Sequence, residues 1–205
     1  ITHIGGTLNV FAEGLQITNQ PTNLTVVVGD PASFSVGVDG TAPFAYQWYF
    51  NETNAIAGGT NANLNLTNVQ SAAAGSYLVI VTNVVGGVTS SAPTLTVLVP
   101  PSITLQPTNE VANALQSVIL TAAADGTAPL YYQWRKNGAP ILGATATTLT
   151  LNNVTTNAAA SYTLVVTNTV GSTTSSPAVL TVNQLNSFIT WTNPLAIGYG
   201  SPITP

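Results

Sequence analysis

Apolar and polar residues alternate in short runs along the chain, and Gly, Pro, Asn or Asp punctuates the runs every few residues. Phe34, Val36 and Val38 occupy every second position, as do Phe44, Tyr46 and Trp48. A period of two places each set on one face of a strand. No stretch carries the 3.6-residue spacing of an amphipathic helix. The pattern predicts strands near Leu24–Val28, Ala32–Val38, Phe44–Tyr49, Asn63–Leu66, Ser76–Asn83 and Val88–Val99, each bounded by turn residues. The chain is therefore expected to be all-β.

The same pattern then returns. ITNQPTN from Ile17 recurs as ITLQPTN from Ile103, DGTAPFAYQW from Asp39 as DGTAPLYYQW from Asp125, and SYLVIVTNVVG from Ser76 as SYTLVVTNTVG from Ser161. Trp48 and Trp134 are 86 residues apart, Tyr77 and Tyr162 are 85, and the missing residue falls where NETNAI shortens to NGAPI. A one-residue loss in a turn is what a duplicated compact module tolerates. Seven or so half-buried strands in each copy suit a two-sheet sandwich, with a closed barrel as the alternative.

The boundary between copies falls at Val99-Pro100-Pro101-Ser102, because two prolines cannot donate to a ladder and hold the chain extended. Such a joint is short and stiff, and predicts modules strung end to end. The domains expected are 15–99 and 100–183. Residues 1–14 contain TLNV, like the TLTV that closes the first copy at Thr94, and read as the last strand of a preceding module. Residues 184–205, with FITWTNPLAIGYGSPIT from Phe188, read as the start of a following one.

Two YQW strands, ending in Trp48 and Trp134, precede two strands that carry a Tyr and then Asn-x-x-Gly: Tyr77 with Asn83 and Gly86, Tyr162 with Asn168 and Gly171. In that order, and present twice, this resembles tandem bacterial immunoglobulin-like domains, the disulfide-free kind found in large surface and secreted proteins. The resemblance covers about residues 15–183. It implies that each Trp packs between the sheets and each Tyr closes a corner by a hydrogen bond to backbone. The positions that would hold the inter-sheet disulfide carry Val36 and Val79 in the first module and Ala122 and Leu164 in the second. Trp48, Tyr77, Val36, Val79, Trp134, Tyr162, Ala122 and Leu164 are the expected structural core. The family's Asp-x-Gly-x-Tyr is here Ala73-x-Gly75-x-Tyr77 and Ala158-x-Ala160-x-Tyr162, so the usual charged support of that corner is absent. The first module has no Lys for an isopeptide staple.

Composition narrows the function. Charged residues make up 4% of the chain, where about a quarter is usual. The two cations, Arg135 and Lys136, cannot neutralise a phosphate backbone, so nucleic acid is not an expected partner. No apolar run approaches a membrane span, so no insertion is expected. Zero Cys and zero Met suit an extracellular or cell-surface location. His3 is the one imidazole and has no partner cluster, and the six acids (Glu13, Asp30, Asp39, Glu52, Glu110, Asp125) are scattered singly. Neither a calcium loop nor a carboxylate pair for glycoside hydrolysis can be assembled from them. No cofactor, metal or catalytic residue is expected, and Asp39-Gly40 and Asp125-Gly126 read as turns. Four Asn-x-Ser/Thr sequons, at Asn23, Asn51, Asn65 and Asn153, are the number such composition gives by chance.

Alternation sends Tyr49, Leu78 and Ile80 outward in the first module, and Tyr131 and Arg135 outward in the second. These five are the candidate interface. The apolar strip of the first module reads either as a contact for another chain or module, or as residues lying singly on the surface or under the connection between the third and fourth strands. A structural, non-enzymatic role follows: building a filament or surface fibre by self-association or contact with neighbouring modules. The alternative is an adhesin or carbohydrate-binding spacer that meets surface glycans through Tyr49 and Tyr131.

Overall fold

The computed structural model describes residues 12–184. The expectations for Thr7–Val10, His3 and the segment from Phe188 lie outside the described residues. Within them the chain is almost entirely strand and turn. The first module runs β1 (Gln16–Asn19), β2 (Leu24–Val27), β3 (Ala32–Ser35), β4 (Gly37–Asp39), β5 (Ala45–Phe50), β6 (Asn54–Ala55), β7 (Asn63–Leu66), β8 (Gly75–Thr82), β9 (Gly87–Thr89) and β10 (Thr94–Leu98). The second repeats it as β11 (Ser102–Leu105), β12 (Glu110–Asn113), β13 (Val118–Thr121), β14 (Ala123–Asp125), β15 (Tyr131–Lys136), β16 (Ala139–Pro140), β17 (Thr148–Leu151), β18 (Ala160–Asn168), β19 (Gly171–Thr174) and β20 (Ala178–Asn183). A single 3-10 turn precedes β8 and β18.

One sheet of each module has the order β2-β10-β8-β5-β6 with β9 on β8, or β12-β20-β18-β15-β16 with β19 on β18. The pairs β1-β4 and β3-β7, and their copies β11-β14 and β13-β17, make the other layer. The expected strand Ala32–Val38 is in fact two. Its first half pairs β7 and its second half pairs β1, and Val36 at the break bonds its N–H to the Ala62 carbonyl at 3.0 Å. Likewise the expected strand Val88–Val99 is broken by Ser90–Pro93, because Pro93 cannot donate to a ladder.

The QPTN segments move the chain from one layer to the other. Pro21 and Pro107 interrupt the ladders, and the flanking amides tie the crossover down. Gln20 Oε1 accepts from Ser91 N and Asn23 Oδ1 from Thr94 N, both at 2.8 Å. Gln106 and Asn109 repeat these bonds to Ser176 and Val179 at the same length.

Each sandwich closes on its own core. Trp48, Phe34, Val36, Tyr77, Val79 and Leu95 belong to one buried cluster, and Trp134, Leu120, Ala122, Tyr162, Leu164 and Leu180 to another. The indole N–H of Trp48 donates to Asn61 O and that of Trp134 to Ala146 O, both at 2.9 Å. Each buried Tyr hydroxyl donates to the carbonyl four residues back, Tyr77 to Ala73 at 2.8 Å and Tyr162 to Ala158 at 2.7 Å. The corner thus needs only a backbone acceptor. Burial pushes both phenols above their ordinary pKa.

Candidate functional site

Among the described residues no group of three or more His, Cys, Asp or Glu could hold a metal ion. Asp39 and Asp125 are used locally, each accepting from the N–H of its own Gly, at 2.8 Å for Gly40 and 2.7 Å for Gly126. The chemistry that the two modules share lies instead where the chain enters each of them.

At the second entry, Thr127 Oγ1 accepts from Val99 N at 2.7 Å, and Thr127 N donates back to Val99 O at 3.0 Å. Asn168 Nδ2 donates to Val99 O at 2.7 Å and to Thr127 O at 3.0 Å. Its Oδ1 accepts from Val170 N and Gly171 N, which turns the β18–β19 hairpin and fixes the carboxamide. Gly126 allows the approach, since a Cβ there would lie 3.0 Å from Pro100 O and Pro101 Cα. The preceding residue, Leu98, is held by the first module, its carbonyl accepting from Val28 N at 2.8 Å. Consecutive residues are therefore bonded to different modules, leaving no slack at the boundary.

The first entry is built the same way. Thr41 Oγ1 accepts from Glu13 N at 2.6 Å, Thr41 N donates to Glu13 O at 3.3 Å, and Asn83 Nδ2 donates to Glu13 O at 3.3 Å and Thr41 O at 3.0 Å. A Cβ on Gly40 would lie 2.9 Å from Gly14 O. Glu13 and Val99 are 86 residues apart, the spacing of the repeat. Sequence reasoning quoted DGT and Asn-x-x-Gly as marks of duplication and gave Thr41, Thr127, Asn83 and Asn168 no role. The signal was their survival in both copies, on turns and at a strand end outside either buried core.

The candidate interface residues sit on the outer faces of the six-stranded sheets. Tyr49 lies directly opposite Leu78, and Ile80 opposite Gln47 and Thr89. The three are neighbours on one face, each half-buried. In the second module Tyr131 is 63% exposed and Arg135 half-buried, opposite Thr167 and Thr163. The structure brings the first three together and leaves the other two apart.

A model of the immunoglobulin domain family matches residues 16–83 and again residues 100–168. Among characterised proteins, Endoglucanase C of Cellulomonas fimi is 31% identical over 180 residues, which cover 83% of this chain. The matched part spans only 16% of that protein's length. Of solved structures, the I-band fragment I67-I69 from titin superposes with a TM-score of 0.64 at 20% identity, covering 86% of this chain and 67% of its own. The N-terminal four immunoglobulin domains of Dscam1 give 0.65 at 19%, covering 86% and 48%. The insect immune protein hemolin gives 0.64 at 17%, covering 85% and 48%.

Proposed function

The chain belongs to the immunoglobulin domain family, and from that premise we propose that it is a non-catalytic spacer segment of a bacterial extracellular protein, holding other parts of its parent at a set distance. The observation that carries this is the repeated entry, where the same hydrogen bonds seize the incoming chain at Glu13 and at Val99. A tether meant to flex would leave residues free between its modules. Here Leu98 and Val99 answer to different sandwiches. The relative in Cellulomonas fimi, itself an endoglucanase by name, aligns over a small share of its length, which fits a segment that accompanies chemistry performed elsewhere. With no Cys or Met, the chain lacks the side chains that oxidise most readily.

Residual dipolar couplings measured on the two modules test the reading. A spacer gives one shared alignment tensor. Replacing Asn168 by Ala removes its bond to Val99 O at the entry, together with those to Thr127 O and within its own hairpin, each worth about 1 kcal/mol, and is expected to separate the tensors while both modules stay folded. Independent tensors in the unaltered protein would overturn the proposal.

Filament building is the second reading, favoured by the large apolar side chains that the second module leaves in solvent, Val111, Tyr131, Leu142 and Val179 among them. It predicts association that grows with concentration and fibres in electron micrographs, where the spacer stays monomeric.

A further inference from the structure

The first module carries an uncharged cleft of about 790 Å³ beside β7, lined by Phe50, Ile56, Leu66 and Tyr77 and by five carboxamides: Asn61, Asn63, Asn65, Asn68 and Gln70. We propose that this cleft binds a segment of a neutral oligosaccharide. This goes beyond the spacer reading, which needs no ligand.

The cleft exists because β7 pairs with β3 alone. Ala62 accepts from Val36 N, and the register pairs Leu64 with Phe34 and Leu66 with Ala32. By the alternation of an antiparallel ladder, the backbone N–H and C=O of Asn63 and Asn65 point away from β3, toward the open side. The side chains of Asn61, Asn63 and Asn65 alternate with the inward Ala62, Leu64 and Leu66 and so stand on the outer face of the β3–β7 pair, at the rim of that open edge. The carboxamides of Asn61 and Asn63 make no hydrogen bond to another described residue, while Asn65 uses only Oδ1, accepting from Ser33 Oγ at 2.7 Å. Gln70 Nε2 donates to Asn68 O and Oδ1, which leaves Gln70 Oε1 and Asn68 Nδ2 free.

Donors and acceptors are thus mixed along the β7 rim of the cleft, with Ile56, Leu66 and the half-buried ring of Phe50 on its apolar side, and the volume falls in the usual range for a ligand site. Sugar hydroxyls both donate and accept, and the C–H face of a pyranose packs on apolar carbon and aromatic rings. No lining side chain is charged, so a phosphate, uronate or ammonium would lose its hydration without a counter-charge. That matches the cleft to a neutral chain of hydroxyls.

The second module supplies an internal control. Its β17 edge is equally open, but the corresponding cleft is about 390 Å³ and is lined by Ala146, Thr148 and Thr150 in place of Asn61, Asn63 and Asn65. An extended peptide that simply added a strand would use both edges, whereas an amide-read glycan uses only the first.

Amide-resolved NMR titration of the 205-residue chain with cellohexaose, xylohexaose and mannohexaose tests this, with hexagalacturonate as the charged control. The expected result is shifts confined to Asn61–Gln70, Phe50 and Ile56 for at least one neutral hexasaccharide. Asn61→Ala with Asn63→Ala is expected to weaken it about tenfold or more without lowering the thermal transition. No shifts with any neutral probe at about 10 mM, equal shifts along Thr148–Leu151, preference for the charged probe, or undiminished binding by the variant would each overturn it. A negative result leaves the hydrogen-bonded module entries, and the spacer reading drawn from them, untouched.

Discussion

The first module fills its sandwich with rings and the second with branched aliphatic chains. Phe34 stacks on Tyr77 with centroids 4.9 Å apart and lies 6.1 Å from Trp48, while Phe50 sits 5.2 Å from Tyr77. The second module keeps Trp134 and Tyr162 but replaces Phe34 by Leu120 and Phe50 by Lys136. The Val36–Val79 contact becomes Ala122 with Leu164, a nearly volume-conserving exchange of the sort cores accept. One backbone thus tolerates two fillings, provided an indole and a hydrogen-bonded phenol stay in place.

The sharpest way to break this comparison is to remove the residue both modules share. Trp48→Ala is expected to cost the first module about 3–5 kcal/mol, and Trp134→Ala to cost the second as much. Because the two cores are separate clusters, each variant should shift one calorimetric transition and leave the other. If either shifted both, the modules would be one folding unit.

A smaller effect tests what the rings demand of their surroundings. Gly75 packs under Phe50, and a Cβ there would lie 2.6 Å from Phe50 Cε2 and 2.5 Å from Asn51 Oδ1. At the same place the second module has Ala160, beneath Lys136 rather than a ring. Gly75→Ala is expected to destabilise the first module by about 1–3 kcal/mol, and Phe50→Lys in the same chain to restore much of that. Additive losses in a urea double-mutant cycle would refute the coupling.

How far the sequence reached can be judged on the same residues. The period of two gave the inward set, because a side chain facing the wrong way in a half-buried strand exposes its whole row. The sandwich and its duplication were legible for that reason. Val36 is where legibility ended, since a strand that changes partner midway looks continuous in an alternation pattern. The entry residues Thr41, Asn83, Thr127 and Asn168 were visible as repeated letters, but their bonds span 28 to 70 residues, and periodicity reports nothing at that range. The cleft beside β7 was invisible, because it depends on a strand that is not there.

Titration examines a feature the two modules share. Tyr77 and Tyr162 have folded-state pKa values raised by burial, so the folded protein holds the phenolic proton more tightly than the unfolded chain, whose phenols titrate near about 10. Stability is expected to be flat through neutral pH and to fall as pH climbs past that unfolded value toward the folded one, in both modules. Tyr77→Phe should abolish that alkaline fall in the first module, and cost it about 1 kcal/mol at neutral pH through the lost bond to Ala73. Denaturant midpoints across the alkaline range check both.

The smallest effect concerns the surfaces, where the copies differ most. Val111, Tyr131 and Val179 are exposed on the outer face of the second module's large sheet, and the first module has Thr25, Ala45 and Thr94 at the matching places. None of the three reaches either core, so Val111→Thr, Tyr131→Ala and Val179→Thr should each change stability by no more than about 0.5 kcal/mol. With so few charges on the chain, little else opposes contact between molecules through that face. Grafting all three is therefore expected to raise the second virial coefficient measured by light scattering, with the thermal transitions held. A coefficient that did not move would mean the apolar surface of the second module is inert, and the filament reading would lose the observation that favours it.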